Sequence, residues 1–316
     1  MACPGHPLQL PIHRFGAVND PRTSRILITA GIHGRENGGI GTAYALMETL
    51  TGISELRGVV DVLPVANPES CDAETRTNPV DGKNLGECFT GCGVAEDTLE
   101  LNGRSQTEAI ARAILARLDG CAHLVDLHSA GEARYLPHAL FFREEEASSA
   151  AAAGLPVALL RKTTREGAAT GMLSQAAALR GIPALTFELG GGITIWPEDV
   201  GVGVRAILSI LAYWNYLSPK HASEPTAPNQ VYTQDSRMFT KAAEEGVFYP
   251  SVEPGQALRR GDRLGTWVSL KNLEAKPVLG GDEGYLLYLR SRCRTHGGDT
   301  LAMVLPKIPE EDGNKE

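Results

Sequence analysis

The chain has 316 residues, 42% hydrophobic and 22% charged, enough for a full core and more than one domain and unlike a disordered segment. A formal charge of -8 and a pI near 5.6 argue against the clustered Lys and Arg on which phosphate binding relies, so a small-molecule partner is expected and nucleic acid is not. Met1 to Arg14 lack a basic segment followed by an apolar one, and no run approaches the ~18 apolar residues of a membrane helix, so a cytoplasmic protein off the membrane is expected.

Residues 8–17 and 24–29 read as strands, separated by a turn-rich stretch containing Asn19, Asp20 and Pro21. The next stretch, Gly31-Ile32-His33-Gly34-Arg35-Glu36-Asn37-Gly38-Gly39, sets an imidazole and a carboxylate three residues apart on a glycine-rich turn. Both side chains can face one spot, and such a pair supplies two of the three protein ligands of a catalytic zinc. Residues 41–50 have helical spacing, and 58–64 read as a strand ending at Val65-Ala66-Asn67-Pro68. This alternation implies an α/β fold with a mixed central sheet flanked by helices.

Residues 69–104 form a long segment of turn residues and charges, a length that in a compact domain is usually functional. Residues 106–118 read as a helix, with Ser105 as N-cap and Glu108 completing a capping box. The apolar run 121–127 reads as a buried strand with His128 at its carboxyl end, where α/β sheets carry their chemistry, which makes His128 the candidate third ligand. Asp126 lies two residues earlier on the same strand face, either orienting that histidine or serving as a buried structural carboxylate. Arg134, Tyr135 and His138 are candidates for lining a substrate pocket.

Residues 147–167 are alanine-rich and read as mostly helical, and 170–180 as a further helix stopped by Gly181-Ile182-Pro183. Residues 184–187 read as a short strand with Glu188 at its tip, ahead of Gly190-Gly191-Gly192. A long helix over 198–217 turns Val202, Ala206, Ile210 and Trp214 to the core. Beyond a Pro- and Ser-rich linker, strand-like runs at 246–250, 264–270, 277–278, 284–290 and 300–305 suit a small β-barrel or sandwich. The expected division is a catalytic domain at 1–217, a linker at 218–229, a barrel at 230–306 and a polar tail at 307–316. Cys3, Cys71, Cys88, Cys92, Cys121 and Cys293 lack the spacing of a disulfide scaffold and are expected to be reduced, and Cys88-x3-Cys92 is a weak ligand or redox signal.

His33-x-x-Glu36, Asn67-Pro68, Arg76 with Asp81 and Asn84, Asp126-Leu127-His128-Ser129 and Glu188 together resemble the succinylglutamate desuccinylase and aspartoacylase family. Its members are zinc deacylases built on the carboxypeptidase A type of fold. The resemblance spans most of the first 217 residues and reaches the C-terminal module, where residues 254–262 are similar to the turn of a biotinyl-type barrel. No lysine stands at a matching modified position, so no covalent cofactor is expected. The resemblance implies one Zn2+ held by His33, Glu36 and His128, with Glu188 as general base. It implies that Arg76 stabilises the oxyanion, a task suited to a permanently charged, planar guanidinium.

One departure stands out. Relatives read Asn-Leu-Asn-Arg, the final pair gripping a substrate carboxylate, where this chain has Asn84-Leu85-Gly86-Glu87. A carboxylate there would be repelled and an ammonium attracted by a few kcal/mol at an effective dielectric of about 20. Alternatively, Glu87 points to solvent. The substrate-binding candidates are thus Asn84, Glu87, Arg134 and Tyr135. The expected reaction is hydrolysis of a small N-acyl amine or N-acyl (di)amino acid to a carboxylate and an amine. A metallocarboxypeptidase competes with this reading, as does a catalytically dead zinc-binding scaffold, and a homo-oligomer stays open.

Overall fold

The computed structural model describes residues 10–16, 23–89, 105–161, 171–191, 193–223 and 230–307. The chain divides into two compact units, Met1–Gly131 with Pro137–Val231, and Glu132–Leu136 with Tyr232–Glu316.

The strands run β1 (His13–Phe15), β2 (Arg25–Ala30), β3 (Val59–Leu63), β4 (His123–Ala130), β5 (Ala133–Tyr135), β6 (His138–Phe141), β7 (Val157–Leu160) and β8 (Ala184–Gly191). All but β5 belong to the first unit, where they hydrogen-bond in the order β1-β3-β2-β4-β8-β6-β7. The central four, β3, β2, β4 and β8, are parallel, while β1 and β6 run antiparallel to their neighbours β3 and β8. Their near-continuous apolar sequences follow from burial on both faces. The helices are α1 (Asn37–Thr51), α2 (Pro68–Asp72), α3 (Gln106–Arg117), α4 (Ala147–Ala152), α5 (Leu173–Leu179) and α6 (Pro197–Tyr213). This is the expected mixed sheet flanked by helices.

Strand alternation sorts each face. Ile26, Ile28, Val125, Leu127, Leu185 and Phe187 pack with Leu46 of α1 and Ile207 and Ile210 of α6. Leu27, Leu124 and Ala184 point the other way, onto Ile110 and Ile114 of α3 and Leu173 and Ala177 of α5. By the same period of two, Thr29, Asp126, His128, Thr186 and Glu188 belong to this second face. Toward the carboxyl ends of the strands its apolar filling therefore gives way to polar groups.

Two readings need correction. Among the described residues the alanine-rich stretch is helical over α4, and Val157–Leu160 forms β7 against β6. Alanine content favours a helix, but α4 stops at Ala152 ahead of Gly154, which sits at φ +71°, and the apolar run that follows is buried in the sheet. Residues 162–170 lie outside the described residues. Glu188 stands within β8, which runs on to Gly191. Elsewhere the capping box of Ser105 and Glu108 is present, and α1 starts at Asn37, directly after the candidate ligand Glu36. The N-terminal strand is shorter than expected among the described residues, an edge segment fixed by Arg14, whose Nε and Nη2 donate to Asp61 at 2.7 and 2.8 Å.

In the second unit β5 is joined by β10 (Met238–Lys241), β11 (Gly246–Pro250), β12 (Ala257–Leu258), β13 (Arg263–Ser269), β14 (Ala275–Leu279), β15 (Gly284–Arg290), β16 (Arg294–Thr295) and β17 (Thr300–Leu305), while β9 (Gln230–Thr233) spans the division between units. One antiparallel set runs β5-β15-β17-β10, with β12 also on β15, and the other runs β14-β13-β11-β16. Phe248, Leu264, Leu286, Leu289, Ala302 and Val304 form the core from both sets, as in a small sandwich. Among the described residues no helix is long and apolar enough to cross a membrane.

At the amino end of β4, His123 stacks on Trp214 with ring centroids 4.2 Å apart, and its Nδ1 lies 3.0 Å from the Tyr216 hydroxyl. Burial lowers its pKa to about 4. The unfolded chain therefore takes up a proton near pH 6.5 that the folded chain refuses, so stability present above pH 6.5 is lost as the pH falls toward 4. Urea unfolding from pH 8 to 4.5 should show the wild type losing about 1–2 kcal/mol more than His123→Asn, a value discounted for partial exposure of the ring. Parallel losses in the two proteins would contradict this.

Candidate metal centre and active site

His33 and Glu36 sit on the turn between β2 and α1, and His128 sits on β4. β3 and β4 flank β2 on opposite sides, so the chain leaves β2 at a topological switch point, where an α/β sheet opens a crevice. The turn is pressed onto α2, since a Cβ on Gly34 would lie 1.7 Å from the Ser70 carbonyl oxygen. Gly34 N–H also donates to the Thr75 carbonyl at 2.8 Å, which fixes the approach of Arg76.

The two imidazoles converge on one carboxylate. His33 Nδ1 is 2.7 Å from Glu36 Oε1, and His128 Nδ1 is 2.8 Å from Glu36 Oε2. All three residues are buried, and their ligand atoms lie within 4.8 Å of one another. The outer nitrogens are engaged: His33 Nε2 lies 3.0 Å from Asn84 Oδ1, and His128 Nε2 lies 2.9 Å from Asp126 Oδ2. Asp126 in turn accepts a 2.6 Å hydrogen bond from Thr29 Oγ1. With Nε2 donating outward, a neutral ring at either position would present its Nδ1 lone pair inward. His33 Nδ1 makes no hydrogen bond despite its short contact with Glu36, so a buried ring nitrogen is left facing the cluster. Two imidazoles and a carboxylate are a fitting donor set for a divalent ion such as zinc.

Charge is tightly balanced here. Burial would raise the Glu36 carboxyl, but the flanking His33 and His128 prevail and hold it well below the usual carboxylate range. Burial would lower His128, yet Asp126 and Glu36 on either side raise it well above 6.5. Glu188 is the register partner of His128 on β8, on the same face. Burial, aided by the charges of Glu36 and Asp126 and opposed by His128 and Arg76, pushes its carboxyl up to about 7. A carboxyl so poised can both accept and release a proton near neutrality. Arg76 is mostly exposed and reaches inward, its Nη1 lying 3.3 Å from Glu36 Oε1.

Beyond Glu188, β8 carries one more residue than β4 before pairing resumes at Ala130 and Gly191. Gly190 sits there with φ +60°, and a Cβ on it would lie 1.8 Å from Asp199 Oδ2, so only glycine fits. Bulges of this kind commonly adjoin active sites.

The structure thus brings His33, Glu36, His128, Asp126, Arg76 and Glu188 together, with Asn84 behind His33. Asp81 lies elsewhere, accepting from the Thr107 backbone N–H and hydroxyl at 2.9 and 2.7 Å at the start of α3. Arg134 and Tyr135 belong to the second unit, where Arg134 lies 3.7 Å from Glu253 and Tyr135 packs edge-on against Tyr288. Cys88 Sγ donates to the Asn84 carbonyl oxygen at 3.2 Å, and Cys92 lies outside the described residues. Sequence reasoning missed Thr29, whose place opposite Asp126 required the strand register, and offered His138 only as a candidate for lining a substrate pocket. His138 is buried on β6 and is the other register partner of Glu188.

The catalytic-domain model of the succinylglutamate desuccinylase/aspartoacylase family matches residues 22–214. A curated relative, the N-alpha-acetyl-L-2,4-diaminobutyric acid deacetylase of Halomonas elongata, is 27% identical, with 94% of this chain and 90% of that protein covered. Among solved structures, a succinylglutamate desuccinylase/aspartoacylase from Rhodobacter sphaeroides matches with TM-score 0.77 and 23% identity over 95% of this chain and 90% of its own. The product-bound ectoine utilization protein of Ruegeria pomeroyi matches with TM-score 0.77 and 21% identity over the same shares, 95% and 90%. At those identities the two structures establish the fold.

If Asp126 holds the tautomer and aim of His128, Asp126→Asn should weaken zinc binding by roughly 10- to 100-fold while the protein stays folded. Competition with a chromogenic chelator measures this. An unchanged affinity would assign Asp126 a purely structural role.

Proposed function

The chain belongs to the succinylglutamate desuccinylase/aspartoacylase family, and from that membership we propose that it is a zinc-dependent deacylase, cleaving a small N-acyl amine or N-acyl diamino acid to a carboxylate and an amine. The observation that carries this reading is the convergence of His33, Glu36 and His128 one strand away from Glu188. His33, Glu36 and His128 would hold the ion. When bound, it supplies Lewis acidity, which lowers the pKa of water and polarises an acyl carbonyl.

The remaining steps fall to the chain. Glu188 takes a proton from the attacking water and passes it to the departing nitrogen, a cycle its pKa of about 7 suits at neutral pH. Arg76 swings its exposed guanidinium from Glu36 to the developing oxyanion, where a fixed positive charge is worth most. Asp126 and Asn84 keep the two imidazoles aimed throughout. Residues 1–217 are proposed as the catalytic domain, joined by the 218–229 linker to the 230–306 barrel.

The Halomonas elongata relative is named for a substrate with a free ammonium besides its acylated one. Glu87 gives this chain a carboxylate where a carboxylate-gripping arginine would stand, which favours a cationic over an acidic amide. A peptide-trimming carboxypeptidase would need the arginine that is missing.

Glu188→Gln should bind zinc as the wild type does yet lose about 10²- to 10⁴-fold in kcat. Retention of kcat would exclude Glu188 as the base. For specificity, the ratio of kcat/KM for N-acetyl-2,4-diaminobutyrate to that for N-acetylaspartate should fall at least about tenfold in Glu87→Arg. An unmoved ratio would remove Glu87 from substrate selection.

A further inference from the structure

Glu87 has a second engagement, directed into the protein. Its Oε1 accepts a 2.8 Å hydrogen bond from Asn84 Nδ2, and Asn84 Oδ1 lies 3.0 Å from His33 Nε2 and accepts from Gly86 N–H, also at 3.0 Å. We propose that Glu87 is a positioning residue for the metal ligand His33, acting through the amide of Asn84. The inference rests on the metal-centre reading above.

An asparagine amide has a donor end and an acceptor end of nearly equal size, and its neighbours decide which way it faces. A carboxylate beside Asn84 can only accept, so it draws the NH2 group and leaves the carbonyl oxygen toward His33. That oxygen can only accept, so it stabilises the imidazole form with the proton on Nε2 and the lone pair on Nδ1. Nδ1 is the atom left inside the cluster without a hydrogen bond. The chain Glu87, Asn84, His33 thus converts one exposed charge into a fixed tautomer at a buried ligand.

The backbone is built to hold this chain. A Cβ on Gly86 would stand 2.8 Å from His33 Nε2 and 3.3 Å from Asn84 Oδ1, so a larger residue there would wedge between the ring and its acceptor. Leu85 is fully buried, and Phe89 N–H donates to the Gly171 carbonyl at 3.1 Å, pinning both sides of Glu87. A Cβ on Gly171 would lie 2.3 Å from the Glu87 backbone, so that contact is close as well. Gly86-Glu87 therefore reads as a matched pair. The glycine lets the loop close on His33, and the acid sets the amide that touches it.

The test compares wild type, Glu87→Gln and Glu87→Ala. Zinc affinity is measured by chelator competition, and the His33 tautomer by ¹⁵N NMR of the protein before zinc is added. Glutamine still offers an acceptor to Asn84 Nδ2, so Glu87→Gln should stay within about twofold of wild-type affinity and keep the proton on Nε2. Glu87→Ala should bind zinc about tenfold more weakly and show a mixed His33 tautomer. Wild-type affinity and tautomer in Glu87→Ala, or a glutamine variant as impaired as the alanine one, would overturn the proposal. A wild type that binds no zinc would instead overturn the metal-centre reading, and the tautomer comparison would still decide the role of Glu87.

Discussion

Two buried imidazoles aimed at one buried carboxylate are the constraint around which this molecule is arranged. Leaving His33, Glu36 and His128 out of water is costly unless each polar atom is engaged, because an unpaired buried charge is among the most destabilising features a core can hold. The fold meets that requirement from outside the cluster. Asp126 and Thr29 line up behind His128, and Asn84 and Glu87 behind His33. With both Nε2 atoms engaged outward, the inner surface consists of two ring nitrogens and the Glu36 carboxylate oxygens, which a proton or a cation can hold together.

The position of the cluster follows from the sheet. Parallel strands place their carboxyl ends at one edge, and the switch point at β2 separates the neighbouring loops there. Close backbone approach completes the crevice: Gly34 on Ser70, Gly86 on His33 and Gly190 against Asp199 each occupy a place where any side chain would collide. These three glycines bring three separate segments to within hydrogen-bonding distance of the residues they support. The same polar edge lets Glu188 sit beside a ligand strand, where burial, aided by Glu36 and Asp126 and opposed by His128 and Arg76, pushes its carboxyl up to about 7.

Much of this was legible in the residues. The parallel strands announce themselves because burial on both faces demands unbroken apolar runs, and the spacing of His33 and Glu36 on a glycine-rich turn carries its own chemical meaning. A strand repeats every two residues, which puts Asp126 on the face of His128, and the structure brings the two side chains to 2.9 Å. Less was legible where the decisive partner is distant in sequence. Thr29 meets Asp126 only through the β2–β4 register, and Ala147–Ala152 looked like the start of a longer helix because alanine propensity says nothing about the strand that follows. Short, partly exposed strands such as β10, β12 and β16 lack an apolar signature. The residue types alone leave Glu87 as a substrate contact or a solvent-facing acid, and its bond to Asn84 depends on the local turn geometry that sequence does not carry.

The most direct measurement is an anomalous difference map from crystals of the zinc-loaded protein, recorded on either side of the zinc edge. The account predicts a single strong peak bonded to His33 Nδ1, a Glu36 carboxylate oxygen and His128 Nδ1. A map with no peak there, or with zinc held by other residues, would contradict it.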